Sequence, residues 1–187
     1  MALRFRRAAG GDADAIAALH ADSWRRHYRG AYSDAFLDGD VDTDRVAVWT
    51  ERLQTPDPRR YTVLATKDGT LVGFANTEFD DDPTWGSLLD NLHVTHDSTR
   101  RGIGSHLLAL TAQAVIERGT GLYLWVLEQN TDARSFYEAH GATRVERAPT
   151  SPPGGVPSRL AGPSAKLRYA WSDRAALLEL AHSAPAA

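Results

Sequence analysis

Cysteine is absent from the 187 residues, lysine occurs twice (Lys67 and Lys166) and methionine once. The first absence excludes most: no disulfide, no thiolate metal site and no cysteine nucleophile can exist here. Covalent catalysis through a cysteine is excluded with it. Long apolar runs are missing too. No stretch reaches the ~20 residues that span a bilayer, and the opening MALRFRRAAGG has no apolar segment of signal-peptide length. A cytoplasmic protein without a membrane partner is the expectation. Neither sign of charge dominates: the net value of −3 supplies no general attraction to nucleic acid, and no nucleic-acid partner is expected. Histidine is present seven times but without ligand spacing. His93 and His96 lack a third partner, so no metal is expected.

What is present suits one globular domain. Hydrophobic residues make up 42% and charged residues 24%, and the length is enough to bury a core without staples. LRFRRA (Leu3 to Ala8) alternates as a short strand. GDADAIAALHADSWRRHYRGAY reads as a helix, with Asp12 as cap and Ile16, Leu19, Ser23 and Trp24 near one face. A second helix runs from Thr43 to Gln54, capped by Thr43 or Asp44 and stopped by Pro56 and Pro58. RYTVLATK and LVGFANTEF are strands joined by Asp68-Gly69, a hairpin signal. SLLDNLHV is another strand. A helix then starts near Gly104 and ends at Gly119, and GLYLWVLE is dense enough to be a central buried strand. NTDARSFYEAHG is a short helix capped by Asn130 or Thr131 in front and Gly141 behind.

ATRVER and AKLRYAW are the closing strands. Between them lies a Pro-, Gly- and Ser-rich loop, Pro149 to Ser164, of a length that is often functional or mobile. The order β-α-α-β-β-β-α-β-α-β-β predicts an α+β fold: a mixed, mostly antiparallel central sheet of about seven strands with helices on both faces. Residues 1–171 form the domain, and residues 172–187 a terminal helix or flexible tail.

The junction VTHDSTRRGIGSHLL is the most informative stretch. Glycines at a helix start let a ligand approach the backbone, the first-turn N–H groups lack helical partners, and the helix dipole is positive there. Arg100 and Arg101 add donors suited to phosphate. A Walker loop is excluded because no Gly-Lys-Ser/Thr occurs, and a dinucleotide fingerprint fails because position 107 is Leu107. Gly102 and Gly104 alone admit a structural turn as readily as a phosphate cradle.

Taken as a pair, LDNLHVTHDSTRRGIGSHLL and LWVLEQNTDARSFYEAHGA closely resemble the acetyl-CoA motif and the following motif of the GNAT superfamily of N-acetyltransferases. SWRRHYRGAY also resembles the first helical region of one bacterial branch, so the resemblance runs roughly from Leu3 to Trp171. Two departures stand out. Thr99 occupies a position where the family carries Arg or Gln, and Gly141-Ala142 replaces its Gly-Phe. The resemblance implies a GNAT-like fold and acetyl-CoA as co-substrate. The backbone of Arg100, Arg101, Gly102, Ile103, Gly104 and Ser105 would hold the pyrophosphate. Leu92, His93 and Val94 would pair with the pantetheine arm like an added strand, and Asn130 would contact the cofactor.

By the same resemblance Tyr137 would be the general acid that protonates the departing thiolate. Asp90 is the first candidate base, its side chain alternating with Leu92 and Val94 so that burial would strengthen it; Glu78, His93 and an ordered water are the alternatives. Trp24, Tyr28 and Glu78 fall to the acceptor site, while Phe136 reads as a core aromatic. The cluster Arg25, Arg26, His27 and Arg29, if it faces the pocket, favours a carboxylate-bearing amine. The implied reaction moves an acetyl group to a primary amine, in a small molecule or a peptide, within a ternary complex. A non-catalytic acyl-CoA-binding or sensor domain is the alternative, disfavoured by Tyr137. A homodimer is compatible with either.

Overall fold

The computed structural model describes residues 2–183. Seven strands form one sheet: β1 (Leu3–Arg7), β2 (Arg60–Lys67), β3 (Thr70–Asp82), β4 (Gly86–Val94), β5 (Leu122–Leu127), β6 (Thr143–Pro149) and β7 (Ala165–Ala170). Their order is β1-β2-β3-β4-β5-β7-β6, and every neighbouring pair is antiparallel except β4 and β5. Five α-helices are described: α1 (Ala13–His27), α2 (Val41–Gln54), α3 (Ile103–Arg118), α4 (Thr131–Ala139) and α5 (Arg174–His182). None is long and apolar enough to cross a membrane.

Local chemistry explains most of the boundaries. Asp68 and Gly69 take φ of 50° and 85°, the double left-handed turn that matches strand twist in a two-residue hairpin. Asn130 caps α4 by accepting from the Ala133 N–H at 3.2 Å, and Gly119 ends α3 at φ 78°. Asp12 behaves differently from expectation. Its carboxylate accepts from the Ala9 N–H and pairs with Arg6 rather than capping α1. Thr43 and Asp44 lie inside α2, because a π-turn at Phe36–Asp40 starts that helix two residues earlier, with Asp40 as its N-cap.

Alternation along the strands assigns the two faces. Leu64 and Phe74 join Ile16 of α1 and Trp49 of α2 in one apolar cluster. Val63, Ala65 and Ala75 meet Leu107 and Leu108 of α3 on the other face, where Leu177, Leu180 and Ala181 of α5 enter the same cluster. Gly73 sets how closely α3 approaches: a Cβ there would meet the Leu107 and Ile103 side chains at 3.2 and 3.3 Å. The start of α3 is thereby seated directly on the sheet.

One strand pair is built to open. β4 and β5 share a register of only two pairs, Ser87 with Leu122 and Leu88 with Tyr123. They are pinned at that end by glycine: a Cβ on Gly86, whose φ is +87°, would lie 2.5 Å from the Gly121 backbone. Beyond Leu88 the strands part. In the same region the β3–β4 register slips between Asn76 and Thr77, which pair with Asn91 and Leu89 and leave Asp90 as a bulge.

The long loop after β6 is tied down. Ser33 N–H donates to Arg159 O at 2.8 Å, Ala161 N–H to Ala31 O at 2.9 Å, and Tyr32 bridges to Leu160. Arg159 also reaches Asp44 at 2.6 Å, and Asp44 holds Arg45 as well. The loop and the α1–α2 connection therefore form one arch beside the open end of the sheet.

Candidate active site

A cleft of about 1080 Å³ occupies the gap between β4 and β5. Its walls come from the second half of α1, from β4, from the loop into α3, from β5 and from α4. Of the residues singled out in the sequence, Tyr28, Asp90, Leu92, His93, Val94, Arg100, Gly102, Gly104, Ser105, Asn130 and Tyr137 line it.

One end has the backbone features of an anion site. α3 begins at Ile103 with no side-chain cap and no acidic residue in its first turn. The first intrahelical bond closes only at the His106 N–H, which donates to Gly102 O, so the earlier N–H groups are free for a ligand. Arg100 and Gly102 both have left-handed backbone, φ 59° and 77°; such turns form anion-binding concavities. Among the described residues, its chain neighbours aside, nothing lies within 4 Å of a Cβ built on Gly102. Arg101 and Ile103 do not line the cleft with the others, and Ile103 packs inward, 4% exposed.

The middle of the cleft is a slot. Leu92 and Val94 lean toward the α3 face, and beyond Leu88 no β5 residue pairs with β4. That leaves strand backbone available to an extended ligand arm. Phe136, expected as a core aromatic, lines the cleft. It is also the nearest neighbour of a Cβ built on Gly104, at 3.5 Å.

Tyr137 is 8% exposed, faces the cleft, and its hydroxyl has no hydrogen-bond partner among the described residues. Burial raises it above the ordinary phenol range, so it holds its proton at neutral pH. Tyr28 lines the cleft as well. Burial raises its hydroxyl, and the neighbouring Tyr32, Tyr137 and Asp90 push the same way.

Asp90 sits differently from the expectation. Strict alternation puts it on the face of Leu92 and Val94; the bulge breaks that period and turns it toward α2. There Arg52 donates to its carboxylate at 2.7 Å and to Asn91 at 3.3 Å. The half-buried carboxylate thus has a cation beside it rather than an apolar shell. His93 shares a 2.7 Å hydrogen bond with Ser23 of α1. Burial, helped by His27 and Arg45, pushes it down to about 3, so at neutral pH it is an uncharged ring. Glu78 is outside the cleft wall, paired with Arg60 at 3.0 Å. Trp24 is also not in the wall; it is 7% exposed, stacked on Tyr28, with the Arg45 guanidinium over its ring.

The basic cluster of α1 faces the cleft in part: Arg26 and His27 line it, Arg25 and Arg29 do not. Arg25 pairs with Asp42, Arg26 with Asp22, and Arg29 with Asp34 and Asp38.

A helix start stripped for anions, a slot between parting strands and a buried tyrosine coincide in one cleft. The sequence model of the acetyltransferase (GNAT) family matches residues 21–142, which take in all of these parts. The chain belongs to the GNAT acetyltransferase family. It is 27% identical over 133 residues, 70% of this chain and 74% of the relative, to the uncharacterised N-acetyltransferase YuaI of Bacillus subtilis (strain 168). Solved GNAT structures share the fold. The PaiA N-acetyltransferase of Thermoplasma acidophilum, in complex with coenzyme A, superimposes with a TM-score of 0.66 at 19% identity, over 90% of this chain and 98% of that one. A probable acetyltransferase of Staphylococcus epidermidis ATCC 12228 gives 0.70 at 13% identity, over 90% and 98%.

Three side-chain pairings at or behind the cleft had no local signal in the sequence. Arg52 meets Asp90 across 38 positions, Ser23 meets His93 across 70, and His140 meets Ser105 across 35. Each contact exists only because the fold folds two distant segments together.

Proposed function

We propose that the protein transfers the acetyl group of acetyl-CoA to a primary amine, by direct attack within a ternary complex. The observation that carries this reading is the uncapped, glycine-lined start of α3 opening into the same cleft as the buried hydroxyl of Tyr137. The diphosphate of the cofactor would rest on the amides from Arg101 to Ser105, and the pantetheine arm would lie along Leu92 to Val94. Asn130 spends its side-chain oxygen on capping α4, which leaves its N–H₂ for the cofactor.

In the transfer the amine nitrogen attacks the thioester carbonyl, the C–S bond breaks, and the departing sulfur takes a proton. Tyr137 supplies that proton, contributing ~10²–10⁴-fold. The attacking amine must lose a proton. Asp90, ion-paired to Arg52 and lining the cleft, takes it directly or through water. His93 is the poorer choice because burial, helped by His27 and Arg45, opposes its protonation. Tyr28, which lines the cleft, would contact the acceptor.

Titration calorimetry with coenzyme A and with acetyl-CoA tests the donor site, and release of free thiol in the presence of a panel of primary amines tests the reaction. Binding of neither nucleotide would refute the proposal. Binding of both, with thiol release from no amine, would favour the acyl-CoA sensor instead.

A further inference from the structure

His140 stands just past α4, and no chemical role has been assigned to it above. Its Nδ1 lies 2.7 Å from the carbonyl oxygen of Phe136, and its Nε2 lies 2.9 Å from Ser105 Oγ. A carbonyl oxygen only accepts, so Nδ1 carries a proton in every state. The neutral ring therefore has its lone pair on Nε2, and Ser105 must turn its O–H toward the histidine. Ser105 lines the cleft at the start of α3. With its proton committed to His140, its oxygen presents only lone pairs to an arriving phosphate.

We propose that His140 is a positioning residue of the anion cradle, which takes up a proton when the cofactor diphosphate binds and thereby turns the Ser105 hydroxyl onto a phosphate oxygen. Nε2 gains its proton from solvent and donates to Ser105 Oγ; the Ser105 O–H, released, donates to the ligand; Nδ1–H stays on Phe136 O. No covalent bond to carbon changes, and the ligand gains one hydrogen bond and one nearby positive charge. This rests on the acyl-CoA reading above.

The charged groups on the elements around His140 do not compete for its ring. Arg100 and Arg101 precede α3. Arg134 of α4 is engaged by Glu128 O and Tyr169, and Glu138 by Tyr169. Asp132 heads α4, and Asp173 at the head of α5 accepts from the Ala175 N–H, followed by Arg174. His106 of α3 is stacked on Phe5 at 3.7 Å. Among the described residues none of these hydrogen-bonds the His140 imidazole.

The sign follows from linkage. A base protonated more in the bound state than in the free state makes binding tighter at low pH, and the advantage is lost as pH rises through the bound-state value. The limit is about tenfold in affinity per pH unit for one proton. The probe is dephospho-coenzyme A, which keeps the diphosphate but lacks the titrating 3′-phosphate. Calorimetry near neutral pH in two buffers of different ionisation enthalpy counts protons taken up on binding. The expected result is net uptake in the wild type that His140→Gln and Ser105→Ala both remove. Gln can donate to Ser105 without a proton, so His140→Gln should also flatten the pH dependence of affinity. Pantetheine, without the diphosphate, should bind with no uptake through His140. Uptake unchanged in both variants, or binding with no uptake in the wild type, overturns the proposal alone. No binding of dephospho-coenzyme A or coenzyme A overturns it together with the acyl-CoA reading.

Discussion

At Tyr137 a single oxygen atom is proposed to protonate the departing sulfur, and its surroundings set what it can do. Burial holds the hydroxyl protonated above the ordinary phenol range, so its loss of a proton should not limit the rate below about pH 9.5. Tyr137→Phe should lower kcat by ~10²–10⁴-fold while leaving the dissociation constant for coenzyme A within a few-fold; steady-state kinetics beside calorimetry separates the two. Gly104 offers a different separation. Alanine fits there against Phe136 at 3.5 Å and Leu92 at 3.8 Å, and in a helix it is favoured over glycine by roughly 0.5–1 kcal/mol. Gly104→Ala should therefore melt no lower than the wild type, yet bind coenzyme A roughly tenfold or more weakly because its methyl stands where the ligand approaches. A variant that binds normally would remove Gly104 from the cradle. Gly102 and Gly104 drew attention through backbone access at a helix start, which is a local property, and Tyr137 through its place in the motif resembling that of the GNAT family. The facing of Asp90 could not be read from sequence, because it depends on a bulge set by the pairing partner.

Among the elements, the pinned and parted pair of β4 and β5 shapes the cleft. Gly86→Ala would place a methyl 2.5 Å from the Gly121 backbone at a φ of +87°. Strain and overlap together should cost roughly 2–5 kcal/mol, read as a lower denaturation midpoint. The arch depends on a carboxylate. Asp44, its side chain 13% exposed, holds both Arg159 and Arg45; Asp44→Ala leaves two guanidinium groups poorly compensated and should cost ~3–5 kcal/mol. Strand and helix identities were readable from alternation and caps because those are short-range effects. The early start of α2 and the docking of Arg159 were not, since nothing between Pro149 and Ser164 has the periodicity of a packed element.

For the molecule entire, one buried imidazole sets an acid limit. His20 is 1% exposed and accepts from Trp49 Nε1–H at 3.0 Å. Burial, then His93, Arg45 and Arg52, pushes it well below the ordinary histidine range. A base depressed in the folded state binds its proton on unfolding, so stability is full above about pH 6.5 and falls as pH drops below it, by at most ~1.4 kcal/mol per pH unit for one group. Urea midpoints measured from neutral toward mildly acidic pH should decline in the wild type and decline less in His20→Gln.

The short register of β4 with β5 has a consequence for solvent exchange. Residues 89–94 have β3 on one side and, in the empty protein, only the cleft on the other, so amides turned toward the cleft should trade hydrogen for deuterium well ahead of those in β2 or β3. A bound pantetheine arm would slow the same amides by taking the place of the missing strand. The unliganded enzyme thus keeps, in the middle of its sheet, the unpaired edge that other sheet proteins confine to their borders.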